Sequence, residues 1–249
     1  MHTKKIYFAS DQHFGAPTVE KSLKREKHFV HWLDTIKNDA EALFLLGDLF
    51  DFWFEYKHVV PKGFVRVLGK LAELKDAGVV IHFFVGNHDL WMVDYFETEL
   101  NIPIYREPTE FILQGKTFLL GHGDGLGPGD KGYKFLKKIF TNSVNNWLFR
   151  WIHPDVGLGF AKYLSMENNA ISGEDDIYFL GEDKEYLILF CKDVLLQKHY
   201  DYFIFGHRHL PMILDLPSKS KYVNTGDWIT YFTYGVLEDG VFELKEYLL

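Results

Sequence analysis

Five short segments of this 249-residue chain carry the side chains that could do chemistry: Asp11-Gln12-His13, Gly47-Asp48, Gly86-Asn87-His88-Asp89, Gly121-His122-Gly123-Asp124 and Gly206-His207-Arg208-His209. They combine carboxylates and imidazoles with one neutral amide, Asn87, and contain no thiolate. Such a set suits Mn²⁺, Fe or Zn²⁺ in higher coordination and not a closed structural zinc knot. Two such ions about 3.5–4 Å apart can clamp a phosphoryl group and activate a water for displacement at phosphorus. A carboxylate shared between them offsets their mutual repulsion. Taken singly, Asp-x-His or Gly-Asp is ordinary turn chemistry; five such segments in one chain make chance a poor explanation.

Each segment closes a short apolar run. Residues 5–10, 42–46, 79–85, 117–120 and 202–205 lead in turn to Asp11, Gly47, Gly86, Gly121 and Gly206. Runs of this length, stopped by glycine or a polar residue, read as strands buried on both faces. Helical patterns lie between them. In 61–78 the apolar residues Phe64, Val67, Leu68, Leu71 and Leu74 form one stripe, with Pro61 suited to the start and Gly78 to the stop. Phe29, Trp32, Leu33 and Ile36 repeat the stripe before Asn38. Strand and helix therefore alternate through residues 1–90, which predicts an α/β sheet. Ligands of such sheets bind beyond the carboxyl ends of the strands, where all five polar segments fall. Near the C-terminus, 222–226, 231–237 and 241–247 around Asp239-Gly240 carry a hairpin signal. Residues 125–201 break the rhythm with a Gly-rich start, helical periodicity over 131–150 and acidic stretches at 174–176 and 182–183. We read them as a mostly helical lid inserted into a single domain spanning 1–249, because the chain returns to the sheet at Tyr202.

The five segments, in this order, resemble the motifs of the calcineurin-like metallophosphoesterase superfamily, and the resemblance spans residues 11–209. It implies a β-sandwich flanked by helices. It further implies that Asp11, His13, Asp48 and His209 hold one divalent ion, and Asp48, Asn87, His122 and His207 a second, with Asp48 bridging. His88 would face the phosphate as the group that stabilises charge or protonates the leaving oxygen, making His88, Asp48 and Asn87 the catalytic set. Asp51 and Asp89 are expected to accept from ligand imidazoles, and Asp124 to do likewise or cap a turn. His2, His28, His31, His58, His82, His153 and His199 lie outside any motif and read as surface or helix-face residues.

Within that superfamily, residues 47–53 (GDLFDFW), the chain length and the lid between the fourth and fifth motifs resemble the UDP-2,3-diacylglucosamine hydrolases of lipid A biosynthesis. The segment 129–133 (GDKGY) resembles their substrate-contacting stretch, which implies substrate contacts for Asp130 and Tyr133 beside Asn87 and His88. This chain departs from the proteobacterial branch at His88, which is Arg there, and lacks that branch's Ser- and Lys-rich run in the lid. Independently of resemblance, Lys131, Lys134 and Lys138 fall on one helix face and could meet a diphosphate, Lys134 among the substrate contacts. Leu136, Ile139, Phe140, Trp147, Leu148, Phe149, Trp151 and Ile152, and later Leu158, Phe160, Tyr163 and Leu164, exceed what a surface lid needs. Part of them packs the lid on the body; the excess suits acyl chains or a membrane interface.

Composition limits the alternatives. With 27 basic and 35 acidic residues the net charge is −8, which disfavours a nucleic-acid partner. One cysteine, Cys191, fits a reducing compartment. The apolar run before Asp11 is too short for a secretory signal, and no run approaches a membrane span. The expectation is a cytoplasmic, Mn²⁺-dependent two-metal phosphohydrolase that acts on a nucleotide-linked glycolipid, contacts the inner membrane transiently and needs no obligate protein partner. The rivals are the same chemistry on a soluble nucleotide diphosphate or phosphodiester, and a scaffold that has lost catalysis.

Overall fold

The computed structural model describes residues 4–129, 131–157, 159 and 178–248. Strands β1 (Lys5–Ala9), β2 (Ala40–Leu45), β3 (Val80–Phe84) and β4 (Ile104–Tyr105) run parallel in one sheet. Its other edge is the antiparallel hairpin of β10 (Thr233–Glu238) and β11 (Val241–Glu246), giving the order β11-β10-β1-β2-β3-β4. The second sheet has the order β5-β6-β7-β9-β8, built from β5 (Thr109–Leu113), β6 (Lys116–Leu120), β7 (Tyr202–Phe205), β8 (Met212–Asp215) and β9 (Lys221–Asn224).

Alternation along the strands makes two apolar faces. Ile6, Phe8, Ala42, Phe44, Leu46 and Phe84 point between the sheets onto Phe118, Leu120, Tyr202, Ile204 and Val223. Tyr7, Ala9, Leu43 and Leu45 point outward, where Phe29, Trp32, Leu33 and Ile36 of α1 (Val19–Ile36) and Val67, Leu71 and Leu74 of α2 (Val65–Asp76) cover them. A short α3 (Tyr95–Leu100) contributes Phe96 to the same layer. The result is a two-sheet sandwich flanked by helices, the architecture that the motif resemblance implies.

Two elements differ from the sequence expectation. The second helix begins at Val65, not Pro61, because Gly63 and Phe64 both have left-handed φ, 112° and 57°, which helix geometry does not allow. Phe64 takes that conformation with its ring against Phe50, centroids 4.8 Å apart. Residues 222–226 do not join the terminal hairpin either; β9 pairs with β7 and β8 in the second sheet.

Between β6 and β7 the chain leaves the sheet. The helices α4 (Lys131–Phe140) and α5 (Ser143–Phe149) bury no residue of their own. By contrast α6 (Tyr186–Leu195) buries Leu187, Ile188 and Cys191 against Phe203, Phe205 and Tyr222. The crossover thus has an exposed outer part and an inner helix that belongs to the core. Asp130 and the apolar residues Leu158, Phe160, Tyr163 and Leu164 lie outside the described residues.

Candidate metal centre

The polar segments sit where the strands stop, and their backbones remain tied to one another there. Beyond β1 and β2, Asp11 N–H donates to Gly47 O, His13 N–H to Asp48 O and Phe14 N–H to Leu49 O, at 2.9–3.1 Å. Gly206 N–H donates to His122 O, and Trp228 N–H reaches Asp11 O across the two sheets. Asp11, His13, Asp48, His207 and His209 all have left-handed φ, between 46° and 67°. Non-glycine residues in that region are uncommon and collect at functional sites.

Glycine permits the close approach. A Cβ on Gly86 would lie 2.1 Å from Asp48 Oδ1, and one on Gly206 would lie 2.4 Å from Asp11 Oδ2. These glycines are spaces for carboxylates, which is why the motifs read Gly-Asn and Gly-His.

Three groups of possible ligand atoms result, each with its atoms within 4.8 Å of one another: Asp11, His13 and His209; Asp48, His122 and His207; and His13, Asp51 and His88. Asp48 lies between the first two, with Oδ2 3.6 Å from His13 Nε2 and 3.3 Å from His122 Nε2. Asn87 joins the second group, its Oδ1 3.0 Å from His122 Nε2.

The imidazoles show whether a cation fits. His122 Nδ1–H donates to Leu46 O at 2.8 Å, so a neutral ring turns the lone pair of Nε2 toward the Asp48 carboxylate. His209 Nδ1–H donates to Asp227 Oδ2 at 3.2 Å and presents Nε2 to Asp11 Oδ1 at 3.4 Å. His13 Nε2 is buried with no hydrogen-bond partner, 3.9 Å from Asp11 and 3.6 Å from Asp48. A lone pair facing a carboxylate in a buried site is repulsive unless a proton or metal ion lies between them. The donor set fits divalent ions.

The electrostatics agree. Burial alone would push His122 and His13 down, but Asp48 and Asp11 around His122, and Asp11, Asp51 and Asp48 around His13, override it and raise both to about 10. His207 goes the other way, to about 4, through burial and the neighbouring His122. Burial opposes ionisation of Asp11, yet His209 and His13 hold it down to about 2. Without a metal the carboxylates recruit protons onto His13 and His122; a cation would satisfy the same field.

His88 donates its backbone N–H to Asp48 Oδ1 at 2.9 Å, and its Nδ1 meets Asp51 O at 2.9 Å. Its ring stands edge-on to His13, centroids 4.7 Å apart. Asp51 Oδ1 lies 3.6 Å from His13 Nδ1 and 3.7 Å from His88 Nδ1. Asp89 does something else: it accepts from Gly86 N–H at 2.6 Å and Leu49 N–H at 3.1 Å, so it pins two loops, and among the described residues no imidazole hydrogen-bonds to it. Burial, with Asp48 nearby, raises it to about 7. Asp124 binds α4 through the Tyr133 hydroxyl and through Lys137 Nζ at 2.7 Å. Tyr133 is therefore engaged within the protein, and Lys134 Nζ donates to Gly127 O at 2.5 Å. Beside His122 opens a pocket of about 350 Å³ whose wall includes Arg106, Lys134, Lys137 and Lys138.

Sequence reasoning missed Asp227, which holds His209, and the buried ion pair of Arg208 and Glu185 at 3.0 Å. Asp227 follows β9 and Gly226 as the other polar residues follow their strands, so the same rule would have found it.

A family model described as calcineurin-like phosphoesterase matches residues 4–211. The chain belongs to that family and is a metal-dependent phosphoesterase. It is 39% identical over 246 residues to a UDP-2,3-diacylglucosamine hydrolase of Porphyromonas gingivalis, with 93% of each chain covered. A protein of the same description from Shewanella sp. (strain W3-18-1) is 27% identical over 221 residues, covering 89% of this chain and 88% of that one. Among solved structures, a dimetal phosphatase from Danio rerio aligns with TM-score 0.48 and 14% identity, over 98% of this chain and 96% of the other.

Proposed function

We propose that this chain hydrolyses the pyrophosphate of UDP-2,3-diacylglucosamine, releasing UMP and 2,3-diacylglucosamine 1-phosphate. The observation that carries the reading is the 39% identity to a hydrolase of that substrate over 93% of both chains. In this reading Asp11, His13, Asp48 and His209 hold one ion and Asp48, Asn87, His122 and His207 the other, with Mn²⁺ as the native metal. When bound, the ions polarise the phosphoryl group and activate the attacking water.

The protein's own groups do the rest. His88 engages Asp51 O through Nδ1, which leaves Nε2 to meet the phosphate. As imidazolium it donates to a phosphoryl oxygen or to the departing oxygen; as neutral imidazole it accepts. Asp48 fixes the His88 backbone and faces both metal positions, so nucleophile and acid share one reference point. Arg106, Lys134, Lys137 and Lys138 line the adjoining pocket and suit the second phosphate and the nucleotide.

In this reading the segment 125–201 serves the site as a lid. Its exposed Phe135, Leu136, Trp147, Leu148 and Trp151 supply apolar surface for the acyl chains and for contact with the cytoplasmic face of the membrane. No described helix is long and apolar enough to cross a membrane.

The test is release of UMP from UDP-2,3-diacylglucosamine with added Mn²⁺, beside UDP-N-acetylglucosamine and bis-p-nitrophenyl phosphate. Strong preference for the acylated substrate is expected. Equal turnover of UDP-N-acetylglucosamine would transfer the assignment to soluble nucleotide diphosphates, and activity on the simple diester alone would retire the lipid.

A further inference from the structure

The imidazoles of the metal centre are not all placed in the same way. The rings of His122 and His209 are held through Nδ1, by Leu46 O and by Asp227. Among the described residues no hydrogen bond holds the ring of His207; only its backbone is fixed, by donation to Asp11 Oδ2 at 3.0 Å. The ring meets other rings instead, His122 at 5.0 Å and Tyr186 at 6.3 Å between centroids, both edge-on. Its φ of 67° is left-handed, as is the 52° of His209 two residues on. Backbone of that kind persists only where its surroundings over-determine it.

The residue between them, Arg208, supplies a constraint from the far side. Its side chain is buried and sends Nε to Glu185 Oε2 and Nη2 to Glu185 Oε1, both at 3.0 Å, while Nη2 also reaches Tyr178 O at 3.0 Å. Glu185, equally buried, accepts from Leu180 N–H at 3.1 Å. Apolar side chains of similar volume often fill the place of a buried ion pair at no loss of stability. What the pair adds is geometry, because a guanidinium fork on a carboxylate has one planar arrangement. That geometry matters through the sequence neighbours. Arg208 follows His207 and Glu185 precedes Tyr186, so the fork sets the two rings that meet. The next residue, Leu187, backs the fourth motif: a Cβ on Gly123 would lie 3.1 Å from its Cδ1.

We propose that Arg208 is a positioning residue: its fork to Glu185 seats His207 for the ion shared with Asp48, Asn87 and His122, and ties that ion's site to residues 178–187, where the crossover returns to the core. The proposal rests on His207 being a metal ligand and is independent of the substrate. The tie is reciprocal, so an ion that holds His207 also steadies the returning segment.

The test is calorimetric titration of Mn²⁺ into the metal-free protein, followed by electron paramagnetic resonance. The unaltered protein should take up two ions and give the exchange-coupled signal of a metal pair. Arg208→Met/Glu185→Met removes both charges and leaves neither unpaired. It should bind one ion within threefold of the original affinity and the other at least tenfold more weakly, with the six-line signal of isolated Mn²⁺. Arg208→Lys keeps the charge without the fork and should weaken the same ion at least threefold. Undiminished binding of two ions by either variant would make the pair a filler of the core and overturn the proposal. Uptake of a single ion by the unaltered protein would instead overturn the two-ion reading on which it rests. Hydrogen exchange needs no variant, so a double variant that fails to fold leaves the proposal exposed. Loading the unaltered protein with Mn²⁺ should slow exchange across 178–189 at least fivefold, and two-ion uptake with exchange unchanged there would sever the tie.

Discussion

His122 and His209 each hold a neighbour's oxygen with Nδ1 and offer Nε2 to a carboxylate, so changing the holding group should change what the ring can bind. Asp227→Asn keeps the oxygen that caps the backbone N–H groups of Ile229, Thr230 and Tyr231 and replaces the one that accepts from His209. Loss of such an orienting acceptor costs about 10- to 100-fold in metal affinity. The Mn²⁺ concentration for half-maximal activity should rise by that factor, with unfolding of the metal-free protein unaltered; an unchanged metal requirement would remove His209 from the ligand set. The raised imidazoles give a pH prediction with a definite sign. In the metal-free protein His13 and His122 keep their protons up to about 10, so a divalent ion must displace them. Mn²⁺ uptake near pH 8 should release protons, and apparent affinity should rise with pH. Calorimetric titration in two buffers of different ionisation enthalpy measures the count directly, and a count of zero would contradict it. Gln12 supplies a stability test. It is fully buried between two candidate ligands, and neither side-chain polar atom has a hydrogen-bond partner. Unmade bonds of this kind cost about 1–3 kcal/mol each, so Gln12→Met should raise stability toward urea by about 1–2 kcal/mol. A loss of stability would show that the amide is satisfied in solution.

The strands that carry the motifs were legible because each is a continuous apolar run stopped at a polar ligand type, as in residues 202–205 before Gly206. The terminal hairpin was legible through Asp239-Gly240, where both residues take the left-handed φ of a tight turn, 52° and 76°. The same turn at Gln114-Gly115, with φ 47° and 78°, joins β5 to β6 but went unread, since Gln is a weak signal for that conformation. The start of α2 was misplaced because a left-handed Phe64 is a tertiary effect, decided by its contact with Phe50. Of the candidate site, residue types and order were legible; the pairing of Asp89 with two backbone loops was not, because nothing local distinguishes an acceptor for imidazole from one for an amide. Asp124 shows how an element is held as well as a site. It is buried one glycine after His122 and fastens α4 through Tyr133 and Lys137, while α4 buries nothing itself. Asp124→Asn should therefore free α4 before it unfolds the core. Hydrogen exchange should speed up across 131–140 with global unfolding little changed, and KM should rise more than kcat falls. Exchange that stays slow in α4 would mean that Trp91 with Phe140 and Phe149 suffices to hold it.

Across the whole molecule, charge and apolar surface are unevenly shared. The net charge of −8 repels an anionic bilayer, whereas α4 brings Lys131, Lys134, Lys137 and Lys138 to the same outer segment that exposes Trp147 and Trp151, at 56% and 75%. Phe149 is the exception that defines the rest: it packs on Phe54, centroids 4.6 Å apart, and stacks on Trp91, so it fixes this segment to the body. The two tryptophans instead pack edge to face on each other at 5.8 Å. Apolar surface of this extent on a soluble face marks an interaction site, and tryptophan with lysine is the combination that interfaces of lipid and water favour. Trp147→Glu/Trp151→Glu should then abolish co-sedimentation with vesicles of phosphatidylglycerol and phosphatidylethanolamine. It should lower turnover of the diacylated substrate at least tenfold and leave hydrolysis of bis-p-nitrophenyl phosphate within about twofold, since neither ring touches the metal-ligand clusters. The paired readouts separate the causes. Equal loss on both substrates would mean that the segment supports the metal centre itself, whereas vesicle binding that survives the change would remove the two tryptophans from any role in it.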